Sequence, residues 1–155
     1  MDNRKKYVLS ICKDEDKILL IEKIKPAWCA GKINFLGGSI EPDELPEQAA
    51  VRELKEESGL DSVEPKIIGT IESSDALVYC VCLKLVDPKL PLNPDPSEVE
   101  EVFWMDTSDA LKDKRLIANL KVIIPMVEYE VYNWKIFHRK DSDSEFDFTF
   151  TESLN

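Results

Sequence analysis

Hydrophobic positions along this chain fall mainly in short runs of strand length, separated by polar turns, with two segments of helical spacing between them. Residues 7–12 and 17–24 read as two strands, and the polar stretch Lys13-Asp14-Glu15-Asp16 as the turn of a hairpin joining them. Residues 30–38 hold a short strand that runs into Gly37-Gly38. A glycine pair there marks tight backbone or the close approach of another group. Ala49, Ala50 and Leu54, set among alternating charges, predict a helix over 44–60. Pro46 suits its first turn and Gly59 its stop. Leu45 is a poor N-cap, so Asp43 is expected to serve that end.

Strands follow at 66–71 and 77–85. The second is apolar on both faces and is therefore expected at the centre of a sheet. Residues 87–98 carry Pro88, Pro91, Pro94 and Pro96 and read as a loop, since too little chain follows for a second core. A short strand at 102–105 precedes helical spacing over 116–132, where Pro125 is expected to kink the helix or open a new first turn. Residues 134–137 and 146–151 predict an edge hairpin across the polar turn 140–145, and 153–155 a frayed end. The elements add up to an α+β fold, a mixed β-sheet between helices in an α/β/α sandwich, with 1–155 as a single domain.

Composition narrows the function. The 155 residues are 43% hydrophobic, enough for a real core. No apolar run approaches the roughly 18 residues of a membrane span. The N-terminal apolar run is too short for an export signal, so a cytoplasmic protein is expected. A net charge of −11 argues against polymeric nucleic acid as a partner, though a small phosphate-bearing ligand is compatible if a metal ion supplies positive charge. Cys12, Cys29, Cys80 and Cys82 lack zinc-site spacing and read as free thiols. The one histidine, His138, argues against Ser-His-Asp or Cys-His catalysis. With Arg139 and Lys140 after it, it reads as a solvated hairpin end.

The chemistry concentrates at Arg52-Glu53-Leu54-Lys55-Glu56-Glu57. Glu53, Glu56 and Glu57 stand at i, i+3 and i+4, so a helix gathers them on one face. The ordinary reading of such a cluster is a solvated charged face. The other is a hard divalent cation, which relieves the repulsion. Mg²⁺ prefers carboxylate oxygens and shares its shell with water and phosphate.

The surrounding frame decides between them. Gly38, then Glu44, then Arg52-Glu53-Leu54-x-Glu56-Glu57-x-Gly59-Leu60 resembles the Nudix box at every fixed position, over residues 38–60. The resemblance implies a Nudix hydrolase of MutT type, an enzyme that splits a phosphoanhydride bond with Mg²⁺, for which Mn²⁺ can substitute. Gly37, Gly38, Glu53, Glu56 and Glu57 then become the candidate metal site. Arg52 would hold a glutamate rotamer, and Glu44 would brace the loop–helix junction. The general base is left open among Glu53, Glu57 and an acid outside the box. Family resemblance puts such an acid on the loop before the strand that carries Trp104, with Glu98 first and Glu100 second.

The implied substrate is a small nucleotide. Asn34 and Asn119 stand where oxidised-purine triphosphatases carry base-reading asparagines, and an amide offers donor and acceptor together. Each is otherwise a turn or cap residue. Lys23 is a candidate for phosphate or base, and Trp28 or Phe35 for stacking. Ser39 departs from the lysine that MutT-like members often carry. The marks of ADP-ribose and diadenosine-polyphosphate enzymes are missing. A purine (d)NTP such as 8-oxo-dGTP is therefore the leading substrate. ADP-ribose, a dinucleotide or capped RNA is the enzymatic alternative, and a nucleotide sensor that does not hydrolyse is the non-enzymatic one. A homodimer is allowed, with no residue arguing for or against it.

Overall fold

The computed structural model describes residues 2–139 and the backbone of Phe146–Phe150. Two sheets form. In the first, β1 (Lys5–Ile11), β5 (Leu36–Ser39), β6 (Ser62–Glu72), β7 (Ala76–Leu85), β9 (Trp134–His138) and β10 (Phe146–Phe150) lie in the order β10-β9-β6-β7-β1-β5. The pairs β1–β7 and β6–β9 are parallel and the others antiparallel, so the sheet is mixed as expected. In the second, β3 (Lys17–Glu22) pairs with β8 (Glu101–Asp106) along one edge. It meets β2 (Lys13–Asp14) and β4 (Ile33–Asn34) along the other.

Strand β3 explains the layering. Its sequence KILLIE is buried almost throughout, as a strand covered on both faces must be. Ile18 and Leu20 enter one core with Ile33, Cys80, Ile123, Ile124 and Trp134. Leu19 and Ile21 enter another with Val8, Ala49, Ala50, Leu54 and Val81. Helix α1 (Pro46–Ser58) covers the second core and α3 (Leu120–Glu128) the first, which makes the expected α/β/α sandwich. The short helix α2 (Thr107–Lys112) begins at Asp106, whose side chain accepts from the Ser108 N–H.

Several local expectations need correction. Residues 7–12 and 17–24 do not pair as one hairpin. Beyond β2 with the start of β3, the two segments share only the bond from the Leu19 N–H to the Cys12 carbonyl among the described residues, while β1 turns into the other sheet between β5 and β7. Asp43 does not cap α1. It sits at φ +65°, and the side chain of Gln48 accepts the Leu45 N–H at 2.9 Å instead. Helix α3 is shorter than 116–132. The Ile117 N–H donates to the Ile33 carbonyl, and Ile33 in turn donates to Arg115, so this segment lies beside β4 and outside any helix. Gly59 ends α1 as expected, in the left-handed conformation at φ +78°, its N–H on the Lys55 carbonyl. The strand 77–85 is central, and the pairing of 134–137 with 146–150 holds in β9–β10. The turn 140–145 and the frayed end at 153–155 lie outside the described residues. None of the helices among the described residues is long and apolar enough to cross a membrane.

Candidate active site

Helix α1 sorts its glutamates by depth. Glu57 follows Leu54 by one turn on the core-facing side and is 4% exposed. Its Oε1 accepts the Gly37 N–H at 2.8 Å. Burial pushes the carboxyl up to about 8. The Gly37 N–H and Lys23 oppose that shift, while Glu53 and Glu98 add to it. Glu53 is half-buried and also raised, chiefly by burial, with Glu56 and Glu98 adding and Arg52 opposing. Glu56 is the most exposed of the three.

Arg52 ties the cluster to the loop before it. Its Nε and Nη2 donate to the two carboxylate oxygens of Glu44 at 2.8 and 2.9 Å, a two-pronged pair. Its Nη1 donates to Glu53 at 2.9 Å, and Nη2 also reaches the Ser39 carbonyl at 3.0 Å. Glu44 is held below its ordinary range, mainly by this guanidinium. Arg52 thus bridges Glu44, on the loop before α1, and the Glu53 side chain.

The proline-rich loop reaches the site because α1 needs it. The Asn93 N–H donates to the Ser58 carbonyl and the Asp95 N–H to Glu56, closing carbonyls that a helix end leaves open. That anchorage delivers Glu98, close enough to raise both Glu53 and Glu57. Glu100 is committed elsewhere. It accepts Lys23 Nζ at 2.9 Å and the Ile24 N–H at 2.6 Å. Burial alone would raise its carboxyl, but these donors hold it below the ordinary range. Of these two acids, Glu98 is the one that stands beside the carboxylates of α1.

Two glycines join the carboxylates to a cavity. A Cβ on Gly38 would strike the Glu53 carboxylate, and one on Gly37 would strike the Val8 carbonyl. Both also line a cavity of about 570 Å³, walled by β1, the β4–β5 strands and the β6–β7 turn. Lys23, Trp28, Asn34, Phe35 and Asn119 all line it, so the structure gathers every residue predicted to meet substrate. Their availability differs. Trp28 is 61% exposed and offers a ring face, whereas Phe35 is 1% exposed and belongs to the core. Asn34 spends one acceptor site on the Phe35 N–H. Asn119 opens α3 without capping it, which removes the cap explanation for its presence.

His138 corrects the sequence reading. It is half-buried, lines the cavity and meets Asn119 Nδ2 with its Nε2 at 3.2 Å. The signal was present in the alternation of β9, where Trp134, Ile136 and His138 share the inward face. Cys12, Cys29, Cys80 and Cys82 are free thiols, as expected, and burial raises all four.

A NUDIX domain model matches residues 3–127. The chain belongs to the Nudix family. Among its relatives, an 8-oxo-dGTP diphosphatase of Proteus vulgaris is 32% identical over 73 residues, covering 46% of this chain and 65% of that protein. A CTP pyrophosphohydrolase of Escherichia coli is 44% identical over 55 residues, covering 36% of this chain and 41% of the relative. The chain thus spans less than two thirds of either. In fold it is similar to a MutT protein from Bacillus halodurans, with a TM-score of 0.71 at 18% identity over 93% of this chain and 97% of that one.

The donor set suits a hard cation. Glu53, Glu56, Glu57 and Glu98 offer oxygens alone, and the buried Glu57 is left short of compensating charge. Among the described residues no three acids, histidines or cysteines close into a ready cage. Mg²⁺ asks for less, taking one or two carboxylates and filling its shell with water and phosphate.

Proposed function

We propose that this protein is a Mg²⁺-dependent pyrophosphohydrolase of purine (d)NTPs, with 8-oxo-dGTP the leading substrate. It would release the monophosphate and pyrophosphate in the cytoplasm. The observation that carries this reading is the continuity of two compartments. A nucleoside-sized cavity with Asn119, Asn34 and Trp28 on its walls meets, across Gly37-Gly38, the carboxylates of Glu53 and Glu57.

In this reading the base enters the cavity and stacks on Trp28, and the phosphates extend over β5 towards α1. Glu53, Glu56 and Glu57, with the backbone of Gly37 and Gly38, would hold Mg²⁺, which when bound neutralises phosphate charge and lowers the pKa of water. Arg52 keeps the Glu53 carboxylate in place. Water adds to phosphorus, the bridging P–O bond between the α and β phosphates breaks, and pyrophosphate leaves. The proton released by water passes to a carboxylate. Glu98 is our choice of base. Glu57 is engaged by Gly37 and Glu53 by Arg52, whereas the carboxylate of Glu98 has no hydrogen-bond partner among the described residues. Lys23, which lowers Glu57, supplies a positive charge that the family's lysine would have placed at Ser39.

A cytidine triphosphate is the second reading, favoured by the Escherichia coli relative. The retention of every box glutamate weighs against a sensor that binds without hydrolysis. The test is a product screen with Mg²⁺ over dNTPs, CTP, 8-oxo-dGTP, ADP-ribose, diadenosine polyphosphates and capped RNA, ranked by kcat/KM. Pyrophosphate release led by a purine triphosphate supports the proposal. Two monophosphates released from ADP-ribose, with triphosphates inert, overturns it.

A further inference from the structure

Residues 24–28 are exposed throughout, yet they bring Pro26 and Trp28 to the cavity wall. A loop places a binding group only as well as the scaffold holds the loop. Among the described residues, every hydrogen bond that ties 24–28 to chain beyond 23–32 ends on one side chain, Glu100. Its Oε2 accepts the Ile24 N–H at 2.6 Å and the Lys25 N–H at 3.4 Å, and its Oε1 accepts Lys23 Nζ at 2.9 Å. The Glu100 side chain is 9% exposed. A carboxylate withdrawn that far from water needs such donors, and bonds to a charged acceptor are the strong ones.

Two residues before Glu100, Glu98 stands beside Glu53 and Glu57. The segment leading into β8 therefore reaches both halves of the site, with Glu98 at the carboxylates and Glu100 at the loop that carries Trp28. We infer that Glu100 is a positioning residue for base binding: by accepting the Ile24 and Lys25 N–H groups it latches loop 24–28 to that segment and fixes Trp28 at the cavity. This rests on the nucleotide-hydrolase reading and adds to it a residue that acts on the base half of the substrate through Trp28.

The test compares Glu100→Ala, which removes the acceptor, with Glu100→Gln, which keeps a carbonyl oxygen for the Ile24 N–H and gives up the charge facing Lys23. The substrates are dGTP and the abasic deoxyribose 5′-triphosphate, which carries the same phosphates without a base. Their ratio of kcat/KM reads the base contact. The wild type should favour dGTP. Glu100→Ala should lower the ratio several-fold, up to about the tenfold loss expected of Trp28→Ala, through KM for dGTP, with kcat/KM for the abasic substrate within about twofold of wild type. Glu100→Gln should restore most of the ratio. In the Trp28→Ala background, Glu100→Ala should shift the ratio by less than about twofold, because both changes remove the same contact. A role in packing alone would lower the melting temperature and both rates together and leave the ratio intact, which overturns the inference. So does a wild type that treats the two substrates alike, a Glu100→Gln as damaging as Glu100→Ala, or losses that multiply in the double variant. No turnover of any triphosphate and no binding of dGMP overturns the proposed function and the inference together.

Discussion

Arg52 holds Glu44 with two hydrogen bonds of 2.8 and 2.9 Å and, from the same guanidinium, reaches Glu53 at 2.9 Å. One planar group thus links the loop before α1 to a carboxylate of the site. Lysine has charge but no fork and cannot make both contacts. Arg52→Lys is expected to lower kcat by about 10–100-fold, the usual cost of losing an orienting partner. The melting temperature should stay within a few degrees. Steady-state kinetics beside a thermal melt checks both. Equal kcat in the two proteins would remove Arg52 from the account.

The neighbouring glycines should separate stability from activity. At Gly38 an added methyl meets the movable end of Glu53, whereas at Gly37 it meets the backbone carbonyl of Val8 across the β1–β5 ladder. Gly38→Ala is therefore expected to cut turnover by about tenfold or more with little loss of melting temperature. Gly37→Ala should lower the melting temperature by several degrees. Parallel melts and turnover assays decide, and the reverse pattern would contradict the geometry.

The carboxyl of Glu57 titrates near 8 in the fold against an ordinary value of 4.5. Between these values the folded state keeps a proton that the unfolded chain has released. The contribution of Glu57 to stability is therefore full below pH 4.5 and is lost as pH rises through 8. Without divalent cations, the melting temperature of Glu57→Gln relative to wild type should climb between pH 5 and pH 9, by at least about 4 °C. A difference that stays flat across that range would mean Glu57 ionises normally.

Much of this was legible before the structure. Helix α1 shows its period at Ala49, Ala50 and Leu54 and its stop at Gly59, and the two-faced apolarity of β7 places it at the sheet centre. What escaped was decided by partners distant in sequence. Strands β1 and β3 look like a hairpin, yet β1 bonds to β5 and β7, which the local pattern does not encode. Residues 115–117 carry helical spacing but lie against Ile33. Helix α2 is a single short stretch of 6 residues, too brief for a period to show. At the site, the box residues were readable because their spacing is local. At His138 the charged neighbours suggest solvent, and the inward alternation of β9 outweighs them.

Trp28 is 61% exposed, so truncating it should cost no stability. Stacking of a base on an aromatic ring is worth about 1–3 kcal/mol. Trp28→Ala is expected to raise KM for purine triphosphates about tenfold with kcat unchanged. A fall in kcat at constant KM would place Trp28 away from the base.

Buried carboxylates at the Gly37-Gly38 junction are expected to drive phosphoanhydride cleavage. The most direct measurement is pyrophosphate release from 8-oxo-dGTP and dGTP with Mg²⁺, by wild type and Glu57→Gln, alongside nucleotide binding by calorimetry. Pyrophosphate is the expected wild-type product, with a kcat at least about 100-fold lower in the variant and nucleotide binding retained. Equal turnover in both proteins, or nucleotide bound by both and hydrolysed by neither, would contradict it.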